Sequence, residues 1–211
     1  LEAKVAAKTS ELEEKRERLE ALYGVTALVA NAATLPELAE GFVERIRRVA
    51  RADGVALRWT DETNQRFLLL ASSGLPVAMA DQEQCVHAGD CHCGAVATRA
   101  GARVIPIADA SPAALPHCGQ AGFATLVSIP ILLHDRLMGE VDLFHHAQVS
   151  LSPAERSLLE ALAAHLAGAM ENLRLNALER EQAVAQERTF IARELHDSIA
   201  QSLAFLNLQV Q

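Results

Sequence analysis

The chain has 211 residues, half of them hydrophobic and 22% charged, with a net charge of -8. That suits one ordinary folded domain plus extended helical segments rather than a disordered chain. The negative charge argues against nucleic acid or an anionic membrane surface as a partner, because both repel an acidic protein at long range. The longest apolar runs, such as Ala124 to Leu133, are closed by His134 and Asp135 and are too short to cross a bilayer. No secretory leader pattern opens the chain, which starts on a charged helical repeat without a Met and reads as an excised piece of a longer protein.

From Leu1 to Leu22 there is no Gly or Pro, and Val5, Leu12 and Leu19 recur seven apart, with Leu1 and Leu22 on a companion row that Lys8 and Lys15 interrupt. This spacing predicts a short parallel coiled coil over 1–22, against the simpler alternative of a solvated single helix. Tyr23 to Ala52 continues as amphipathic helix through Leu28, Val29, Leu38, Phe42, Ile46 and Val49, with a break near Thr34 to Pro36. Beyond Asp53 and Gly54 the period changes: Val55 to Trp59 and Phe67 to Ala71 are strand-like runs around a polar connection, closed by Gly74 to Pro76. Ala102 to Ala108 is a further extended run, and Ala124 to Pro130 with Leu137 to Phe144 flank His134, Asp135 and Arg136 as a hairpin. Strands with helices before and after them define an α+β domain, an antiparallel sheet flanked by helices, over 23–172.

Ser152, Pro153 and Glu155 make a helix start, with Ser152 as N-cap and Glu155 completing a capping box. The helix predicted from there to Gln211 has about 59 residues and a reach of roughly 90 Å, more than one domain can bury. Its apolar seam runs through Leu159, Leu162, Leu166, Ala169, Leu173, Ala177, Val184, Ile191, Leu195, Ile199, Leu206 and Val210, with Arg180 and Glu187 as interruptions. The simplest partner for such a helix is its own twin, so 173–211 is expected to be a linker and dimerisation helix of a homodimer.

On that helix His196 lies roughly eighty degrees from the centre of the seam, at its solvent-facing edge. Asp197 can accept a hydrogen bond from one ring nitrogen and so sharpen the nucleophilicity of the other. Gln201, one turn beyond Asp197, shares its face and can orient a water. By itself a His-Asp pair on a helix is most often an ordinary surface feature.

The whole stretch Glu187-Arg-Thr-Phe-Ile-Ala-Arg-Glu-Leu-His-Asp-Ser-Ile-Ala-Gln-Ser-Leu203, however, resembles the phosphoacceptor helix of histidine kinases of the nitrate and nitrite sensor type. That resemblance implies that His196 receives phosphate from ATP, that Asp197 assists as general base, and that Gln201 serves a phosphatase reaction on a response-regulator receiver domain. It also implies a kinase catalytic domain elsewhere in an inner-membrane parent, with this stretch on the cytoplasmic side and no membrane contact of its own. No N-box or Gly-rich ATP lid occurs in the 211 residues, so this piece alone is not expected to autophosphorylate. The region before it resembles a GAF domain, through the hairpin Ala124 to Gly139, the following Glu140-Val-Asp-Leu-Phe144 and the Leu-rich exit helix; Leu1 to Leu22 resembles a signalling helix.

The four cysteines, Cys85, Cys91, Cys93 and Cys118, are gathered in loop-like sequence with His87, His92 and His117 nearby. Four thiolates suit zinc or an iron-sulfur cluster, while a disulfide or thiol redox couple and plain structural thiols stay open. No constellation argues for a cyclic nucleotide or a tetrapyrrole. A stand-alone metal- or redox-sensing dimeric GAF module is the alternative to the kinase fragment; a hydrolase finds no nucleophile, base and orienter set.

Overall fold

Periodicity near 3.6 gives way to alternation near 2 after Asp53, and the computed structural model follows that change. It describes residues 2–60, 63, 65–88, 101–107 and 116–209. Helix α1 spans Glu2–Asn31 and α2 spans Leu35–Val49. Between them Thr34 adopts an extended conformation (φ -132°) and its hydroxyl accepts from the Glu37 amide, while Glu37 Oε2 accepts from the Ala33 amide at 3.0 Å. This reciprocal capping, with Pro36 in the first turn, explains why one helix stops and another begins there.

Strands β1 (Gly54–Thr60) and β2 (Arg66–Ser73), the short helix α3 (Val77–Gln82), β3 (Cys85–His87), β4 (Arg103–Pro106), the short helix α4 (Pro116–Gln120), β5 (Thr125–Leu133) and β6 (Arg136–His145) follow in order. Among the described residues the strands form one six-stranded antiparallel sheet in the order β3-β2-β1-β6-β5-β4. The β5–β6 hairpin turns on His134 and Asp135, both left-handed (φ 46° and 63°), with Leu133 paired to Arg136. Positive φ at both central residues is what a tight two-residue hairpin needs to match strand twist.

One sheet face carries Ala56, Leu126 and Phe144, which form a core cluster with Met79 of α3, Cys118 of α4, Ile107 and Phe123. The opposite face carries Val55, Leu57, Val141 and Leu143, all fully buried. Helix α2 presents Leu38, Phe42 and Ile46 as its buried stripe, and is tied to β2 where Arg47 donates to the Ser73 hydroxyl at 3.1 Å, which itself donates to Glu44 at 2.6 Å. Helix α5 begins at Pro153 and runs to Gln209. The Ser152 amide donates to Glu155 Oε2 at 2.8 Å, and the Glu155 amide donates to the Ser152 hydroxyl at 3.2 Å. This box holds the Glu155 carboxyl below the usual carboxylate range.

The chain divides into two compact units, Leu1–Met170 and Glu171–Gln211. In the first, Leu159, Leu162, Ala163, Leu166, Ala167 and Met170 of α5 are buried, and the Ala102 amide donates to Glu160 Oε1 at 2.9 Å beside β4. No helix among the described residues is long and apolar enough to cross a membrane.

Gly139 marks the tightest backbone approach between β6 and β1. A Cβ there would collide with the carbonyl oxygen of Arg58 and lie 3.1 Å from Trp59 Cα. Because both neighbours are backbone, the central strand pair would have to part. Gly139→Ala is expected to destabilise the domain by about 1–3 kcal/mol, in the range of overpacked cores, read as a lower denaturation midpoint; an unchanged midpoint would mean the sheet yields there without cost.

Candidate functional sites

Two places in the chain bring reactive or charged groups into unusual surroundings. The first is the far part of α5. His196 is exposed there, on a helix whose other described residues from Arg174 to Leu195 include no Gly or Pro. Asp197 and Gln201 follow on the same helix; their side chains lie outside the described residues. Beside His196, Leu195 and Ile199 are each 59% exposed, and Ile191, Phe190, Val184, Leu178 and Leu175 also stand open to solvent. The seam that is buried up to Met170 is thus exposed at Val184, Ile191, Leu195 and Ile199 of the second unit. Arg174 and Glu171 form a two-pronged ion pair, 2.8 Å at each prong, near the start of that unit.

The second place is inside the sheet, and sequence reasoning passed over it. Arg58, at the centre of β1, has no solvent exposure and bonds to both Asp142 of β6 and Glu83 at the end of α3. Glu140 faces Arg58 in the β1–β6 register, and Ser128 donates to Glu140 at 3.4 Å. Arg103 of β4 donates to the Ser128 hydroxyl at 3.3 Å. From α4, His117 Nδ1 lies 3.4 Å from Glu83 Oε1. Three carboxylates therefore share two guanidinium groups and one imidazole beneath α3 and α4. Burial raises the Asp142 carboxyl to about 6 despite the opposing charge of Arg58, and Glu83 adds to the rise. The available signal was a charge in the middle of an apolar strand, Val55-Ala-Leu-Arg58-Trp and Glu140-Val-Asp142-Leu-Phe, where a charge is stable only if another element neutralises it.

The cysteines divide differently. Cys85 is exposed on β3 and Cys118 is buried in α4, and neither forms a disulfide among the described residues. Cys91, Cys93 and His92 lie outside the described residues. Among those described, no three His, Cys, Asp or Glu side chains are grouped to hold a metal. His87 is exposed on β3, and His117 belongs to the ion cluster.

With the geometry established, comparison with known proteins defines the class. The GAF domain family matches residues 34–170, and a histidine kinase family matches residues 187–211. The chain belongs to the GAF domain family. It is similar to the sensor histidine kinase YhcY of Bacillus subtilis strain 168, 26% identical over 153 residues, which cover 70% of this chain and 40% of that protein. The chain thus spans well under half the length of that relative. Among solved structures, the GAF domain of a phosphoenolpyruvate-protein phosphotransferase from Coxiella burnetii matches with a TM-score of 0.66 and 22% identity, covering 77% of this chain and 98% of the other. The corresponding Acinetobacter GAF domain matches with a TM-score of 0.63 and 20% identity, over 76% and 96%. At these identities the structures establish the fold.

The sign of the Asp142 shift fixes a pH dependence. The folded protein holds a proton that the unfolded chain releases near the ordinary value of 3.8, so this group's contribution to stability falls as pH rises from about 4 to about 6. Asp142→Asn is expected to flatten the slope of unfolding free energy over that window in denaturant melts. A slope identical to that of the unaltered protein would mean that Asp142 ionises like an exposed carboxylate.

Proposed function

We propose that this chain is the sensory and relay portion of a two-component sensor histidine kinase, in which His196 accepts phosphate from ATP and two copies pair along α5. The observation that carries this is the exposed imidazole of His196 beside a solvent-open apolar stripe at Leu195 and Ile199, inside the segment matched by the histidine kinase family. A free imidazole nitrogen of His196 attacks the γ-phosphorus, forming a P–N bond as the P–O bond to the departing ADP breaks. Asp197, the neighbouring residue, takes the ring proton as general base. The phosphoryl group then passes to a receiver-domain aspartate of a response regulator, and Gln201 orients water when the phosphorylated receiver is hydrolysed. ATP is bound by the kinase catalytic domain of the same parent. In such a kinase this chain works on the cytoplasmic side of a membrane-anchored protein. The nitrate-sensor resemblance concerns the phosphoacceptor helix and assigns no stimulus.

Pairing along α5 supplies what the second unit lacks, an apolar partner for Ile191, Leu195 and Ile199. A change of register or rotation in the paired helices would carry the state of the GAF domain to His196. Cys85, Cys91, Cys93 and Cys118 are proposed as the input chemistry of that domain, through zinc, an iron-sulfur cluster or a thiol couple.

Two measurements test these assignments. With a separately supplied kinase catalytic domain and labelled ATP, the chain is expected to take up acid-labile phosphate, His196→Gln to take up none, and Asp197→Asn to label about a hundredfold more slowly, in the range of a lost general base. Label persisting in His196→Gln, or no label on folded dimer, overturns the assignment. For the cysteines, anaerobically purified protein is expected to hold stoichiometric zinc, or iron with sulfide, that is lost in Cys91→Ser, Cys93→Ser; metal-free protein leaves thiol chemistry or a purely mechanical relay.

A further inference from the structure

On the side of the GAF domain where α1, the end of α2 and the start of α5 meet, an open cleft of about 970 Å³ is lined by four arginines: Arg18, Arg45, Arg48 and Arg51. None of the four has a carboxylate within 4 Å among the described residues. The acidic groups on the same cleft are Glu17, Glu20 and Glu155. Two of these are already engaged: Glu20 pairs with Arg16 at 3.4 Å, and Glu155 is held in the capping box by the Ser152 amide at 2.8 Å. Arg45 and Arg48 each donate to a carbonyl of their own helix, Gly41 at 3.4 Å and Glu44 at 3.2 Å, and Arg51 acts on the Glu155 carboxyl; four guanidinium groups against three carboxylates still leave the cleft with an excess of positive charge.

The floor adds an independent observation. His145, at the end of β6, is only 7% exposed and lies on the same sheet face as Leu143, which lines the cleft with it. Its ring makes no hydrogen bond among the described residues, while its carbonyl accepts from the Ala124 amide at 2.7 Å. Burial holds the His145 imidazole below its ordinary value, only partly offset by Asp53. The His145 imidazole at the floor, beneath the arginines at the end of α2, is placed to donate a hydrogen bond to something that enters from above. The first turn of α5 also opens on the cleft at Ser152 and Ala154, with the positive end of its dipole.

We propose that this cleft binds a small multivalent oxyanion, of the phosphate-bearing class, through Arg45, Arg48 and Arg51 with His145 as a hydrogen-bond donor at its floor. Guanidinium groups match phosphate oxygens in pairs, which suits several arginines on one anion better than isolated lysines would. The cleft's walls come from α1 on one side and α5 on the other, so an anion held there ties the incoming helix to the outgoing one. The site lies on the opposite side of the sheet from the ion cluster around Arg58, and its existence does not depend on phosphotransfer at His196.

The test uses the full chain and pyrophosphate as probe, with citrate as a non-phosphate polyanion and sodium chloride at matched ionic strength. Titration calorimetry is expected to show saturable binding of pyrophosphate, and hydrogen exchange to show added protection at 17–24 and 154–159. Arg48→Gln, Arg51→Gln removes two exposed side chains without touching the core and should weaken binding at least about tenfold. Arg136→Gln, at the distant hairpin, should leave binding unchanged. Citrate binding as tightly as pyrophosphate would remove the phosphate class; equal response to sodium chloride, no saturation, or binding undiminished in the folded double variant would overturn the site.

Discussion

A guanidinium buried at the middle of a sheet can exist only if carboxylates reach it, and that requirement organises this domain. Arg58 lies in β1 with no exposure, so the neighbouring strand must bring Asp142 and the α3 turn must bring Glu83. The first contact fixes the β1–β6 register at its centre, and the second ties the helical layer to the sheet. Taking away one partner of such a buried group typically costs about 3–5 kcal/mol, because the remaining charge is stranded in a medium that solvates it poorly. Replacing a whole buried ion cluster by apolar side chains of similar volume is often neutral or stabilising, so the cluster by itself is weak evidence for stability.

Much of this architecture was legible in the sequence because it obeys local rules. The capping box at Ser152 and Glu155, the hairpin around His134 and Asp135, and the break before Leu35 each follow from residues within four positions of one another. The ion cluster was illegible for the opposite reason. Arg58 meets Glu83 twenty-five residues away and Asp142 eighty-four away, and no periodic pattern links them. His117 illustrates the same limit. In sequence it stands beside Cys118 and reads as a spare thiol-site ligand, whereas the fold turns its ring toward Glu83.

The α5 seam shows how one pattern can have two physical meanings. The spacing of Leu159, Leu162 and Leu166 continues in Val184, Ile191, Leu195 and Ile199, and the sequence offers no mark where the function of the stripe changes. In the first unit the stripe is buried within the chain; in the second, the same kind of side chain stands 48–59% exposed. A helix with an apolar edge open to water gains by pairing, since each buried leucine-sized side chain is worth roughly 1.5–3 kcal/mol. His196 stands exposed off the stripe that Leu195 and Ile199 define, as the phosphoacceptor role proposed for it requires.

The two faces of the sheet handle charge in contrasting ways. Beneath α3 and α4, opposite charges are enclosed together, and the cluster's exposure to pH enters through a carboxyl that burial has moved toward neutrality. At the α1–α5 side, four arginines and three glutamates line an open cleft, and burial holds the imidazole of His145 at its floor below its ordinary value. The enclosed cluster pairs opposite charges within the chain, although Asp142 Oδ1 has no hydrogen-bond partner among the described residues. The open cleft carries more guanidinium than carboxylate, and the oxyanion proposed for it would come from solution. A domain set between an incoming and an outgoing helix therefore has one enclosed site whose charge depends on pH and a second, open one at which the proposed anion would touch both helices.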